Sequence, residues 1–486
     1  MLRGTNAWTG AAAAVAGGAL LVGVAAPSTA SEINRHGSGG RAAMNVILLI
    51  GDGMGTTHVD AGRQVRYGAA GALVMEQLGT NGTVSTWAVE RGSDQPELVT
   101  DSASAATAWA SGVKTYNAAI GVDTHGAIVP TMMEQAKTAG MRTGNVTTSE
   151  ITDATPAAQF AHAALRGCQG PTYTPESCET IDGQPYLPIA QQIARNNVAD
   201  VILGGGNARF TAEDQAVMQS NGYTVLGALG SKVATKAELA GVSGTNQRVI
   251  GLFNTGNLTV EVNKAKSFPT PAVLEEPSLP EMTGKALELL SQSKDARRNG
   301  FFLQVEGAMI DKRSHANDAA QTIGEVLAFD DAVKVAYEFA KRDRNTLVIV
   351  TADHECAGFN IIGKGSYTNA EAITPPGNQS GTSSTQTPVR SSSGALDPTR
   401  STGPVNGSGS GDPANFAPAT FRTADDPEGV VDGDPEASLW LTYLSGNHTG
   451  ADVPLYAYGP RAERFAGRSD NTDLYDKMTQ SLKALR

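Results

Sequence analysis

The chain has 486 residues, enough for one large α/β domain with insertions or for two or three smaller domains. Hydrophobic residues make up 40%, an ordinary share for a soluble globular protein. A formal charge of −12 argues against a nucleic-acid footprint, and it means that any anion site must be built locally, by metal ions or by arginine.

The N-terminus reads as a secretory signal peptide. Arg3 supplies a positive start, residues 11–26 are mostly Ala, Val, Leu and Gly, and Ser28-Thr-Ala30 fits a small-x-small cleavage site. The apolar run is short for a membrane span and is broken by Gly and Pro27, and no later stretch is long and apolar enough to cross a bilayer. We expect a signal peptide over 1–30, a polar tail over 31–43, export to the periplasm or the cell exterior, and no membrane attachment after cleavage.

Residues 44–50 form a continuous apolar run, as in a buried parallel strand, which stops at the tight turn Gly51-Asp-Gly-Met-Gly55. Residues 99–109 predict a helix opening on Ser102, with Thr100 or Asp101 as cap and an Ala run behind it. A helix start has free N–H groups and the positive end of the dipole, so Ser102 is placed either to cap or to act as a nucleophile beside a bound anion. Further strands are expected at 142–148, 199–203, 247–253, 301–305, 346–351 and 454–458. Helices are expected at 130–139, 155–165, 283–296 and 317–341. Such alternation predicts an α/β fold with a large central, mostly parallel sheet and helices on both faces. Ligands of such sheets bind beyond the carboxyl ends of the strands. Residues 361–436, dominated by Ser, Thr, Gly, Pro and Asn, read as a surface insertion that divides the catalytic domain into 44–360 and 437–486.

The chain has seven histidines, so their company is informative. Asp311 and His315 stand four apart; on a helix they share a face and either hold a metal or make a surface pair. Asp353-His354 follows an apolar strand and can share an ion only past its end. His448 lies in a polar turn, and Asp52 is a ligand or a turn former. Glu306, at the end of a buried strand, needs a partner, and a cation is the simplest. Asp153 and Thr155 open a helix, as cap residues or as oxygen ligands of a hard ion. Arg166, at the far end of that helix, caps it or grips two phosphate oxygens. Cys168 and Cys178 close a local disulfide or stand as two thiols, and Cys356 is left over.

These stretches, in their order, resemble the bacterial alkaline phosphatases. The matching segments are Gly51-Asp-Gly-Met-Gly55, Thr100-Asp-Ser-Ala103, Gly144-Asn-Val-Thr-Thr, Asp153-Ala-Thr-Pro-Ala157, Leu203-Gly-Gly-Gly206, Gln304-Val-Glu-Gly307, Ile310-Asp-Lys312, Thr351-Ala-Asp-His354 and His448-Thr-Gly450. They cover almost all of the mature chain outside 361–436. The resemblance implies an enzyme with two Zn2+ and one Mg2+ per chain that hydrolyses small-molecule phosphate monoesters through a phosphoserine at alkaline pH. It implies that Asp311, His315 and His448 hold one zinc, and that Asp52, Asp353, His354 and the Ser102 oxygen hold the other. Magnesium would take Asp52, Thr155 and Glu306. Arg166 would hold the phosphate, with Asp153 and Lys312 acting through water. Family members are often homodimers. Mixed His/carboxylate sets suit zinc and oxygen-only sets suit magnesium, in keeping with this division.

Two departures stand out. Well-studied members carry a histidine two residues after the Asp-His pair, where this chain has Cys356, and the segment between Asp353-His354 and His448 is longer and less apolar than the resemblance leads us to expect of that region. Related readings are a phosphodiesterase and a non-catalytic phosphate- or zinc-binding protein. Arg166 favours monoesters, because it would occupy the oxygens that a second ester group must vacate. A sulfatase is set aside because Ser102-Ala-Ser-Ala lacks the Pro and Arg that its modified nucleophile requires.

Overall fold

Strand β1 (Asn45–Gly51) is buried at every position, which is why its sequence is apolar without alternation. In this computed structural model the described residues are 42–179, 183, 185–264, 275–364, 419–432, 434 and 436–485. The expected signal peptide, the tail as far as residue 41 and residues 365–418 of the expected insertion lie outside them.

Nine further strands join β1 in one ten-stranded sheet. They are β2 (Thr80–Ser85), β3 (Arg142–Glu150), β4 (Val201–Gly205), β5 (Tyr223–Leu226), β6 (Arg248–Leu252), β7 (Phe301–Gly307), β8 (Thr346–Thr351), β9 (Val453–Tyr458) and β10 (Gly467–Asp470). Their spatial order is β10-β2-β9-β8-β1-β7-β3-β4-β6-β5. Only β9 pairs antiparallel to its neighbours, β8 and β2. β1 lies between β8 and β7, with Ile50 level with both Thr351 and Glu306. This register ends three buried strands together and brings Asp52, Glu306 and Asp353 to one edge of the sheet, the edge where open α/β sheets bind ligands.

The helices that matter for the site are α1 (Thr56–Tyr67), α2 (Ser102–Ser111), α3 (Ala154–Ala157), α4 (Leu279–Ser291), α5 (Met309–His315) and α6 (Ala319–Asp343). α6 packs against α1, α4 and α5, while α2 packs against α3 and the C-terminal helix Asp473–Ser481. Among the described residues, no helix is long and apolar enough to cross a membrane.

Three strands of this sheet escape a sequence reading. β2 (Thr-Asn-Gly-Thr-Val-Ser) and β10 (Gly-Arg-Ser-Asp) are polar strands near one edge, and β5 has only four residues at the other. The helix expected over 155–165 is also corrected: it stops at Ala157. Beyond it the backbone is claimed by tertiary partners. The Gln159 carbonyl accepts from Thr131 Oγ1, the His162 N–H donates to Gln192 Oε1, and Ala163 bridges to Ile120. Arg166 therefore does not cap a helix; it is carried on a folded loop.

Two small sheets complete the site side. Asn360–Ile362, Leu439–Thr442 and Ala419–Phe421 form an antiparallel sheet, and Phe359, Phe421, Leu439 and Leu441 cluster with Ala61 of α1 and Ile323 of α6. Glu355–Cys356 pairs antiparallel with His448–Thr449, setting Cys356 opposite His448. Cys168 and Cys178 are joined in a disulfide, and Cys356 is a buried free thiol.

Candidate active site

Ser102 is the first residue of α2 and is 3% exposed. Asp101 caps the helix: its Oδ1 accepts from the Ser104 N–H at 3.0 Å and from the Ala118 N–H at 2.9 Å. A cap of this kind contributes about 1 kcal/mol, and it leaves the remaining first-turn N–H groups free for an anion. The Ser102 Oγ lies 3.2 Å from His354 Nε2.

The turn after β1 depends on Gly53. Its φ is +71°, and a Cβ there would lie 2.9 Å from the Asp311 Cα and from the Cys356 Cβ. Glycine thus lets the Asp52 turn press against α5 while the Gly53 N–H donates to Asp353 Oδ1 at 2.9 Å. His354 Nε2 lies 3.0 Å from Asp353 Oδ2 and 3.7 Å from Asp52 Oδ1.

Asp311 and His315 occupy successive turns of α5, with His315 Nε2 at 3.3 Å from Asp311 Oδ2. His448 arrives from its strand pair with Nε2 at 3.4 Å from Asp311 Oδ1 and 3.0 Å from His315 Nε2. His315 Nδ1 lies 2.7 Å from the Gly446 carbonyl, and His448 Nδ1 lies 2.9 Å from the Thr100 carbonyl. Each Nδ1 must donate to its carbonyl, so in the neutral rings both Nε2 atoms present lone pairs to each other. A cation between them resolves that repulsion, and a carbonyl behind each ring is the usual support of a metal-binding histidine.

The acids make the same point. Asp52, Asp311, Asp353 and Glu306 are all at least 95% buried, yet among the described residues Asp52 Oδ1, Asp311 Oδ1, Asp353 Oδ2 and the Thr155 Oγ1 make no hydrogen bond of good geometry. Burial, reinforced by Asp353, Asp311 and Glu306, pushes the Asp52 carboxyl well above the usual range. Burial likewise lifts Glu306 to about 7, although Thr147 hydrogen-bonds it. Burial opposes the charged form of His448, but Asp311 holds it up to about 9. Clustered buried carboxylates with orphaned oxygens are unfavourable unless cations join them. The donor chemistry therefore fits metal ions: Asp311, His315 and His448 in one group, and Asp52 and His354, with Asp311 close by, in a second.

Glu306 faces Thr155 across the same edge and accepts from the Thr147 hydroxyl and, at 3.2 Å, from Ser149 Oγ. Asp153 sits between two cations, with Oδ1 at 2.7 Å from Arg166 Nη2 and Oδ2 at 2.8 Å from Lys312 Nζ. Burial would raise its pKa, but Lys312 and Arg166 hold it well below the usual carboxylate range. Arg166 Nη1 reaches Asp101 Oδ2 at 3.2 Å, so the guanidinium is fixed at the mouth of the α2 N-terminus. Each Nη keeps a second N–H for a ligand.

All the site residues expected from the sequence meet here: Asp52, Ser102, Asp153, Thr155, Arg166, Glu306, Asp311, Lys312, His315, Asp353, His354 and His448. Sequence reasoning missed Thr147 and Ser149, two hydroxyls at period-two spacing on the buried strand β3, which was itself a legible sign. It also missed Gln304. That side chain accepts from Trp109 Nε1 at 3.3 Å and donates to the Thr155 carbonyl at 3.0 Å, tying α2 to the Thr155 turn.

Residues 43–484 match the alkaline phosphatase family. Alkaline phosphatase of Escherichia coli K12 is 36% identical over 476 residues, covering 90% of this chain and 86% of that protein. Streptomycin-6-phosphate phosphatase of Streptomyces griseus is 36% identical over 495 residues, covering 96% of each. Among solved structures, Thermus thermophilus alkaline phosphatase superposes with a TM-score of 0.65 at 26% identity, covering 92% of both chains.

Proposed function

Since the chain belongs to the alkaline phosphatase family and is a phosphatase, we propose that it is an exported, metal-dependent phosphomonoesterase working through a phosphoserine at Ser102. The observation that carries this reading is the convergence, around one buried serine at a helix start, of a fixed arginine and two donor groups suited to metal ions.

In this reading Asp311, His315 and His448 would hold one zinc, while Asp52, Asp353, His354 and the Ser102 oxygen would hold the second. Asp52, Thr155 and Glu306 would hold magnesium; a relative from the Antarctic bacterium TAB5 has a mutant described with Mg bound in its M3 site. When bound, these ions supply Lewis acidity that lowers the pKa of a hydroxyl or water and stabilises a departing oxygen.

The chain's own residues do the rest. Arg166 clamps two oxygens of a phosphate monoester, aimed by Asp153 and Asp101, and Lys312 fixes Asp153 in turn. The first N–H groups of α2 receive the negative charge that the transition state spreads over the phosphoryl oxygens. Ser102 Oγ attacks phosphorus in line as the bond to the alcohol oxygen breaks, leaving a phosphoserine and the free alcohol. Water then attacks the same phosphorus, and inorganic phosphate leaves with Ser102 restored.

The proposal includes the domain plan: a signal peptide over 1–30, a tail over 31–43, a catalytic domain over 44–360 and 437–486, and an insertion over 361–436. Export rests on that N-terminal pattern. The test of reaction class is the ratio of rates on p-nitrophenyl phosphate and bis(p-nitrophenyl) phosphate. A monoester rate that is much the larger supports the proposal; equal rates reject it in favour of a diesterase.

A further inference from the structure

Cys356 is a fourth donor beside Asp311, His315 and His448. Donor atoms of all four residues lie within 4.8 Å of one another. Resting on the reading that those three residues hold a divalent cation, we propose that Cys356 completes the set, its Sγ binding that cation as a thiolate.

The three nitrogen and oxygen donors already have the right spread. Zinc binds such atoms at about 2.0–2.1 Å, so a tetrahedral set has edges of roughly 3.3–3.4 Å. The two Nε2 atoms are 3.0 Å apart, and the Asp311 carboxylate meets each ring with a different oxygen, Oδ2 at 3.3 Å from His315 and Oδ1 at 3.4 Å from His448. A sulfur at about 2.3 Å from the ion would sit roughly 3.5 Å from the others, so Sγ, which lies within 4.8 Å of each of them, has at most about 1.3 Å to close.

The backbone places Cys356 for this. It is paired directly across from His448, and facing residues of an antiparallel pair project to the same side. Its N–H donates to the Gly53 carbonyl at 3.0 Å, holding it under the Asp52 turn. The Sγ lies 3.8 Å from the Asp311 carbonyl, a weak partner. Among the described residues Asp311 Oδ1 is buried with no hydrogen bond of good geometry, a second sign that the pocket is built for a ligand.

The direction of approach leaves room for the reaction. Cys356 is fully buried, whereas the His315 side chain is 37% exposed. Sulfur thus reaches the ion from the interior, and the solvent-facing side stays open to substrate, as five-coordination permits. Binding releases one proton: Cys–SH and M2+ give Cys–S–M+ and H+, the proton passing to solvent. A thiolate among the donors also biases the site toward thiophilic ions such as cadmium.

The experiment strips the full-length protein of metal and titrates it with Cd2+ in thiol-free buffer. Bound cadmium is measured by equilibrium dialysis, and thiolate-to-cadmium charge transfer is followed in the ultraviolet. Cys168 and Cys178 are joined, so Cys356 is the one thiol able to give the band. We expect the band to grow in step with bound cadmium in the unaltered protein. In Cys356→Ser it should be lost, with cadmium bound roughly tenfold or more weakly. Cadmium bound by the unaltered protein without the band overturns the proposal and leaves the metal-site reading intact. No cadmium bound at all overturns that reading, and this proposal with it. The unaltered protein decides the matter even if the serine variant does not fold.

Discussion

His315 and His448 bring their Nε2 atoms to 3.0 Å from each other, while each Nδ1 is turned onto a backbone carbonyl. Two neutral rings so oriented repel and two protonated rings repel more strongly, whereas a single cation between the lone pairs, a proton or a metal ion, joins them. The pair is a holder for a cation. His448→Ala should therefore weaken metal binding at this centre by at least roughly 10–100-fold. Metal analysis after dialysis checks this, and an undiminished metal content would show that the pair binds nothing.

Ser102→Ala should separate chemistry from assembly. The hydroxyl is one of several donors to its metal ion in the proposed scheme, so the bound metals should persist. Turnover of p-nitrophenyl phosphate should fall on the order of a thousandfold or more, because no other group replaces the attacking oxygen. Near-normal turnover would refute the assignment of Ser102.

Arg166 is held by two carboxylates in the geometry of a fork. Lysine keeps the charge but loses the bidentate hydrogen bonds. Arg166→Lys should weaken inhibition by inorganic phosphate about tenfold, a difference of roughly 1.4 kcal/mol. An unchanged inhibition constant would mean that Arg166 does not contact the phosphate.

Glu325 of α6 offers a pH test away from the site. Burial pushes its carboxyl up to about 8 from a usual 4.5, even though it accepts from the Glu261 N–H. The folded chain therefore binds more protons than the unfolded chain between those two values. Stability falls as pH rises through that window, and the loss is complete above it, on the order of a few kcal/mol. Glu325→Gln should flatten this slope. Urea midpoints at about pH 5 and pH 9 check it, and parallel profiles for the two proteins would contradict it.

The parts of the fold that were legible in sequence were those where one physical signal dominates. β1 and β8 are dominated by apolar residues because they are buried along their length, β7 opens with a Phe-Phe-Leu run for the same reason, and α2 showed its cap, its alanines and its first residue. The Asp311–His315 spacing held because α5 is a helix. The segment after Thr155 was misread because Ala-rich sequence favours helix while Thr131, Gln192 and Ile120 claim its backbone instead. Strands β2 and β10 carry polar residues near a sheet edge, where no apolar pattern marks them. The meeting of Cys356 with His448 depends on a strand pair between segments far apart in the chain, and no local pattern reports it.

The central claim is that Ser102 carries the phosphoryl group. The direct measurement is acid quenching of the metal-loaded enzyme during turnover, followed by peptide mass spectrometry. The account predicts one phosphoryl group on the peptide containing Ser102, absent in Ser102→Ala. A phosphoryl group on another residue, or turnover that proceeds while Ser102 stays unmodified under every quench, would contradict it.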